Sequence, residues 1–506
     1  MGEELLMLEK VLEQTTAFLA EMPKSKRKKI GQFFTSKETA VYMADMFDFS
    51  ILPRDVEILD PGAGSGILSA AIVERLQKES RITSIHLTCY ETDPAVLPLL
   101  KSNLEYICDK SEKKITYDVL EEDYILSQSN DFEGNLFARK NPPKYHLIIG
   151  NPPYLRVLRD NPAAVSMPSV VYGAPNLYFL FTSMSLFNLY DGCELVYIIP
   201  RSWTSGAYFK AFREYLLSYG KIEHIHLFVS RDKVFNQEEV LQETIILKIK
   251  KTKEKPEYVL LTSSQSNSDF NNVSKLQVPY DSVVTGKDLY VFLPTSEEDI
   301  KTIETINRYS DTMPDLGFKM KTGIIVDFRQ YDDLRKEPGD HIVPLFYSQH
   351  IKKGRVNHES SGKEFDWVID TKPGLVQKNK DYVFCKRFTA KEERRRLQCG
   401  IYLADDFSEF DQIGTQNKIN FVEKIDGSSM SRCLVYGIFA LLNSTLFDQY
   451  YRILNGSTQV NSTEVNSIPV PPIDFIETIG RKLQGLKDLT TETCDDVIYE
   501  VAYGEN

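Results

Sequence analysis

Hydrophobic and polar positions in the first half of the chain switch repeatedly between two periods. Residues 4–21 place Leu5, Leu8, Leu12 and Leu19 at three-to-four-residue spacing, which predicts an amphipathic helix. In "GQFFTSKETAVYMADMF" (31–47), Thr35 and Glu38 have capping-box spacing ahead of a second helical pattern. From residue 56 short apolar runs alternate with helix-period stretches. "VEILD" (56–60) leads through a glycine turn into "ILSAAIVERLQ" (67–77), followed by strand-like "HLTCY" (86–90) and "ITYDVL" (115–120). "YHLIIG" (145–150) precedes helix-like "NLYFLFTSMSLFNLY" (176–190), and strand-like "CELVYIIP" (193–200) follows. This alternation predicts an α/β fold: a mostly parallel, doubly wound, Rossmann-like sheet covered by helices on both faces.

The pattern breaks after residue 250. "KKTKEKPEY" (250–258) is charged and "SSQSNSDFNNVS" (263–274) has almost no core-forming residues. We therefore expect a first domain over 1–255, a connecting segment over 256–295 and a second, α+β domain over 296–506. Within the last, "LVYGIFALLNSTLFDQYYRI" (434–453) reads as a helix.

Composition narrows the class. A chain of 506 residues accommodates two or three domains, and 42% hydrophobic with 26% charged residues is ordinary for a globular protein. No apolar run approaches the roughly 18 residues that span a bilayer. The acidic, amphipathic start is unlike a signal peptide. Seven cysteines, an odd number without a C-x-x-C pair, fit reduced thiols in a cytoplasm and argue against a zinc site. His224 and His226 share one strand face, but two ordinary strand histidines are the simpler reading, so no metal is expected. The net charge of −12 disfavours unspecific attraction to nucleic acid. Two basic islands stand against it, "PKSKRKKIGQ" (23–32) and "KRFTAKEERRR" (386–396), the second with a net charge of +4.

Four strand ends carry the candidate chemistry. "ILDPGAGSGILSAAI" sets Gly62, Gly64 and Gly66 between a strand and a helix, where backbone N–H groups can approach a ligand. Glu91 ends the next predicted strand, where a carboxylate can accept both hydroxyls of a ribose. Asp123 follows the third. The spacing is G-x-G-x-G and not G-x-G-x-x-G, and no G-x-x-x-x-G-K-[ST] occurs, which disfavours dinucleotides and nucleoside triphosphates. Finally "YHLIIGNPPYLRV" (145–157) runs from a strand straight into Asn151-Pro152-Pro153-Tyr154. Two prolines fix the backbone there, so an amide, a carbonyl and an aromatic ring are held rigidly.

Asp60-Pro61-Gly62-Ala63-Gly64-Ser65-Gly66, Glu91, Asp123 and Asn151-Pro152-Pro153-Tyr154, in that order, resemble the γ-class DNA N6-adenine methyltransferases of type II restriction–modification systems, the TaqI and PstI type. Gly31-Gln32-Phe33-Phe34-Thr35 resembles the motif that this class carries ahead of its glycine turn. The resemblance spans residues 25–250 and continues more faintly through 322–329, 345–356 and 382–396. It implies S-adenosyl-L-methionine as cofactor, held by Phe34, Thr35, Asp60, Gly62, Gly64, Gly66, Glu91 (ribose) and Asp123 (adenine amine). It also implies methyl transfer to the N6 of a flipped adenine in duplex DNA by Asn151, Pro152, Pro153 and Tyr154. Phe235, ahead of "TIILKIKK", stands where the class places a second aromatic, although a core phenylalanine is the alternative. Base specificity would lie in the C-terminal region, with Arg355, Lys386, Arg387, Arg394 and Arg395 as candidate DNA contacts.

The chemistry fits the motif. An exocyclic adenine amine is a weak nucleophile, because its lone pair is delocalised into the ring. The Asn151 oxygen and the Pro152 carbonyl can accept its two hydrogens and push the nitrogen toward tetrahedral geometry, with prolines limiting reorganisation. A glutamine amide poses the same problem, so a protein-glutamine methyltransferase of the release-factor type remains an alternative, as does an RNA adenine methyltransferase. The N-terminal motif and the long C-terminal region favour DNA. The short stretch ahead of the basic run leaves no room for a fused nuclease, so modification without cleavage is expected, alongside a separate cognate restriction endonuclease. The expected protein is a monomer or dimer, with no membrane partner.

Overall fold

The computed structural model describes residues 6–21, 35–228, 243–267, 270–389, 393–456 and 458–504. The chain forms two compact units, Met1–Thr295 and Ser296–Asn506. Phe34 and Phe235, both named above, lie outside the described residues, as does the 23–32 basic run.

The first unit is built on nine strands. They are β1 (Asp55–Asp60), β2 (Ser84–Tyr90), β3 (Lys114–Leu120), β4 (Tyr145–Gly150), β5 (Leu189–Pro200), β6 (Lys221–Phe228), β7 (Thr244–Lys250), β8 (Tyr258–Ser264) and β9 (Ser274–Pro279). Their order in the sheet is β3-β2-β1-β4-β5-β7-β6-β8-β9. β1 to β5 run parallel, while β7 is antiparallel to both of its neighbours. The central strands are apolar on both faces, as strands covered on both sides must be. Ile58, Leu59, Leu147, Ile148, Ile149, Leu195, Val196 and Tyr197 are all fully buried. From β1 the chain proceeds outward to β2 and β3, then returns to place β4 on the other flank of β1. Such a reversal opens a crevice at the carboxyl ends of the two strands, where α/β sheets bind ligands.

Helices follow the apolar periodicity. They are α1 (Met7–Glu21), α2 (Lys37–Asp45), α3 (Ile67–Gln77), α4 (Leu97–Lys110), α5 (Leu177–Asn188) and α6 (Lys210–Tyr219) in the first unit, with α7 (Glu297–Ile306) opening the second. α1 buries Leu8, Val11 and Thr15. Its neighbour α2 is capped by Ser36, whose hydroxyl accepts from the Thr39 N–H, and not by the expected Thr35–Glu38 pair. Thr35 is thereby left for another role.

Two boundaries differ from expectation. Residues 256–295 do not form a connector, because β8 pairs with β6 and β9 with β8, extending the first sheet. Val259 and Leu261 supply the buried side of β8, an alternation too short to outweigh the polar residues around it in a sequence reading. The helix expected over 434–453 is two helices, α8 (Arg432–Asn443) and α9 (Thr445–Leu454). Ser444 between them is extended, and its hydroxyl accepts from the Phe447 N–H to start α9.

The second unit, α+β as anticipated, contains a six-stranded and a five-stranded sheet of short strands. α8 and α9 follow these, and after them come α10 (Ile473–Gln484) and α11 (Thr491–Tyr503). Among the described residues no helix is long and apolar enough to cross a membrane.

Candidate active site

β1 ends at Asp60 and the chain turns through 61–66 into α3. Gly64 and Gly66 hold φ angles of 53° and 84°, left-handed values that cost a residue with a Cβ roughly 1–2 kcal/mol. Gly66 is the N-cap of α3 and no side chain caps this helix, so its first N–H groups are available to a ligand. The turn is one wall of a cavity of about 250 Å³ at the carboxyl ends of the strands. Thr35, Gly62, Gly64, Glu91, Asp123, Asn151 and Pro153, all expected from the sequence, line it.

Glu91 sits inside the turn. One carboxylate oxygen accepts from the Thr92 and Asp93 N–H groups at 2.8 Å each, and the other from Gly64 N–H at 3.0 Å. Burial raises its pKa, and the three backbone N–H donors oppose that rise. A carboxylate already bound to the glycine turn repels a phosphate, while its remaining lone pairs can accept hydroxyls. The cradle therefore suits a ligand with a diol and no phosphate. Asp123 lies on the wall with one oxygen accepting from the Ile125 and Leu126 N–H groups at 2.9 Å.

Not every expected contact stands on the wall. Asp60 is 1% exposed and accepts from the Ser69 hydroxyl at 2.9 Å. Burial pushes its pKa up to about 7, against the Ser69 hydrogen bond, with nearby Glu91 adding to the rise. It thus braces the turn from behind α3's first turn and is not a cavity-lining group. Gly66 acts as the cap just described. Pro152 is buried beneath the wall that Pro153 forms.

Asn151 is placed by the close packing of β4 on β5. A Cβ on the preceding Gly150 would lie 2.7 Å from the Tyr197 ring, so glycine lets the strand end there without displacement. The Asn151 amide nitrogen donates to the Thr35 hydroxyl at 3.3 Å. The carboxamide is thereby oriented with its donor end on Thr35, and its oxygen is the end suited to an incoming N–H. Tyr154 is anchored differently, with its hydroxyl donating to the Ile198 carbonyl of β5 at 2.9 Å. Burial holds that phenol far above its ordinary pKa, so it remains a neutral donor.

Sequence reasoning missed the apolar half of the site. Leu155, Leu177, Phe181, Tyr90 and Tyr124 also line it. The Tyr124 ring lies 4.9 Å from Tyr90 and 5.3 Å from Phe181, and its hydroxyl is bonded to Ser185 and Asn188. The available signal was Leu177 and Phe181 one helical turn apart. Also missed was the support behind the turn. Thr15 of α1 lies 2.8 Å from the Ser65 hydroxyl, and Asn103 of α4 donates to the Ser65 carbonyl at 2.7 Å. His224 and His226 bond to Thr262, and His226 also to Ser264, as parts of the core beside β8.

The five candidate cations of the second unit diverge. Lys386 ends the strand Tyr382–Lys386 and Arg387 follows it, its guanidinium donating to the Asn417 carbonyl at 3.0 Å. Arg394 is 86% exposed and paired with Glu492 of α11 at 2.7 Å. Arg395 donates to the carbonyls of Leu442 and Ser444 and to the Thr491 hydroxyl, which ties it to the helices. Arg355 is exposed on a two-residue strand, Arg355–Val356.

Residues 73–235 match the model of the Eco57I restriction-modification methylase family. The type II methyltransferase M.BsuBI of Bacillus subtilis is 32% identical over 464 residues, 90% of each chain. The type II methyltransferase M.PstI of Providencia stuartii is 32% identical over 466 residues, again 90% of each. Among solved structures, DrdV in complex with DNA superposes with a TM-score of 0.51 at 12% identity, covering 95% of this chain and 60% of that one. The type IIL restriction-modification enzyme MmeI in complex with DNA gives 0.50 at 12% identity, covering 99% and 74%. At such low identity the structural likenesses speak to the fold alone.

Proposed function

This chain belongs to the type II methyltransferases of restriction–modification systems, and from that premise we propose that it methylates the N6 amine of an adenine flipped out of duplex DNA. The reading is carried by one observation: the Asn151 amide is turned with its nitrogen on Thr35, on the wall it shares with the glycine turn. S-adenosyl-L-methionine is the cofactor, and when bound it supplies a methyl group made electrophilic by a sulfonium. Its ribose suits Glu91, its adenine suits Asp123 and the Tyr124–Phe181 wall, and its lack of phosphate suits a turn that holds a carboxylate.

The protein's own groups supply positioning. The Asn151 oxygen accepts one N6 hydrogen and the Pro152 carbonyl, between the lining residues Asn151 and Pro153 although Pro152 itself does not line the cavity, accepts the other, which directs the nitrogen lone pair away from the purine ring. Their orientation is set before substrate arrives, by Thr35 and by the two prolines, so little reorganisation remains. A stacked base cannot enter a cavity of this kind, so the nucleotide must leave the duplex at a cost of a few kcal/mol. Tyr154, fixed by its hydroxyl on Ile198 and not itself on the cavity wall, is the ring on which the extruded base would stack. The resulting mark would protect DNA from an endonuclease of the same specificity.

Parallel transfer of tritiated methyl from S-adenosylmethionine to duplex DNA, RNA and a release factor tests the proposal. N6-methyladenine in DNA is the expected product. Label confined to RNA or to a glutamine would overturn it.

Tyr154→Ala should lose roughly 1–3 kcal/mol of base stabilisation, while Tyr154→Phe, which keeps the ring and removes the hydroxyl that bonds to Ile198, should lose far less. With 2-aminopurine at the target position, the Ala variant should fluoresce more strongly than wild type, because the extruded base no longer meets a quenching ring. Equal fluorescence, with extrusion confirmed independently, would remove Tyr154 from the stacking role.

Thr15→Val keeps side-chain volume nearly constant and removes the hydroxyl facing Ser65. It should weaken S-adenosylmethionine binding several-fold without changing DNA affinity, and Thr15→Ser should restore it. A fall in thermal stability with unchanged cofactor affinity would show that α1 merely packs there.

A further inference from the structure

We infer that loops 323–325, 386–389, 416–418 and 458–460 of the second unit form one base-reading face, and that Gln459 and Lys418 on it set sequence preference and hold a DNA phosphate. The inference rests on the DNA-methyltransferase reading above and names where in the chain the duplex is read.

Backbone bonds tie the four loops into one surface. Gly323 N–H donates to the Ile419 carbonyl at 2.8 Å, and Asn417 N–H to Ile325 at 2.8 Å. Arg387 N–H donates to Lys418 at 2.9 Å, Val460 N–H to Arg387 at 2.7 Å, and Thr389 N–H to Thr458 at 3.2 Å. Phe388 and Gln459 form an isolated antiparallel bridge. Beneath them the Asn420 side chain donates to the Val460 carbonyl at 2.7 Å and its oxygen accepts from the Thr322 hydroxyl at 2.8 Å. Loops without such ties would have to be ordered on binding; these are ordered already, as a recognition surface on rigid elements should be.

The side chains on this framework have the chemistry of base recognition. Lys386, Arg387 and Lys418 are cations in a chain of net charge −12, and no carboxylate belongs to the residues of these four loops. Phe388 and Ile324 are large apolar side chains left 45% and 51% exposed. Such groups stack on bases or meet a thymine methyl. Gln459 and Arg387 lie beside one another at 3.4 Å, the outer limit of a hydrogen bond. An amide and a guanidinium are the groups that make paired bonds to adenine and guanine edges. Arg387 is bonded within this face, to the Asn417 carbonyl and Gln459, whereas Arg395 is bonded to Leu442, Ser444 and Thr491, so the two ends of the 386–396 run are held by different elements.

The experiment uses the full chain. Duplex binding is followed by fluorescence anisotropy at several salt concentrations, and sequence preference by mapping methylated adenines in a random-sequence duplex library. Lys418→Ala should reduce the salt slope by about one, the loss of one phosphate contact, uniformly across sequences. Gln459→Ala should relax preference at one base pair while leaving the KM for S-adenosylmethionine unchanged. Lys482→Ala, which removes an exposed ion pair with Glu500 between α10 and α11, should match wild type in both. Thermal unfolding identifies any variant that fails to fold, and Gln459→Glu then replaces the alanine, with discrimination against its partner base as the readout. Wild-type slope and preference in the Lys418 and Gln459 variants would overturn the inference. Absence of methyladenine with wild-type enzyme would instead defeat the functional reading. The salt slope of Lys418→Ala would still decide the face, a lower slope supporting it and an unchanged slope overturning it.

Discussion

Asn151→Ala is expected to lower kcat by about 10²–10³-fold, the scale on which loss of one preorganised polar group acts, while S-adenosylmethionine affinity stays close to wild type. The separation follows from where the side chain sits. Asn151 bonds to Thr35 and follows β4, whereas the backbone groups that would hold the cofactor belong to the turn after β1 and to Glu91 after β2. Single-turnover kinetics with saturating cofactor would measure the first quantity and calorimetry the second. Asn151→Asp refines the test. A carboxylate still accepts from an amine, and Thr35 can donate to it, so this variant should retain more activity than alanine. If the alanine variant instead loses cofactor affinity in step with turnover, Asn151 is a wall of the cofactor site and not an acceptor for the amine.

What the sequence made legible was local. The glycine turn, Glu91 and Asn151 directly follow β1, β2 and β4, Asp123 comes three residues after β3, and a parallel sheet brings successive strand ends to one edge. No side-chain contact had to be known for that convergence. What was illegible depends on partners far along the chain. Thr15 meets Ser65 across 50 residues, and nothing in "EQTTAFL" distinguishes it from an ordinary helix threonine. Asp60 reads as a ligand from its motif, yet its carboxyl faces Ser69 because β1 enters the core one residue before the turn. The helix break at Ser444 required weighing a cap against an unbroken apolar period. β8 and β9 join a sheet whose edge already existed, so a weak alternation sufficed to recruit them. In the second unit, charge density pointed to residues 386–396 as one feature, and only the contacts of Arg387 and Arg395 separate its two ends.

Glu91→Ala should weaken S-adenosylmethionine binding by about 1.5–3 kcal/mol, the range for hydrogen bonds to a charged group, which is roughly tenfold to a hundredfold or more in Kd. Two losses act together. The ribose loses its acceptor, and the N–H groups of Gly64, Thr92 and Asp93 lose the carboxylate that now holds the turn against the end of β2. Glu91→Gln tells these apart from simple loss of bulk. Both carboxylate oxygens accept backbone N–H groups, so an amide of the same shape must set its own NH2 against Gly64 or against the Thr92–Asp93 pair. Glutamine should therefore bind the cofactor nearly as poorly as alanine, despite filling the space. Calorimetry on both variants, with thermal unfolding to confirm that each is folded, provides the comparison. Wild-type affinity in Glu91→Ala would mean that the carboxylate serves the turn alone, and wild-type affinity confined to Glu91→Gln would mean that shape, not charge, holds the glycines in place.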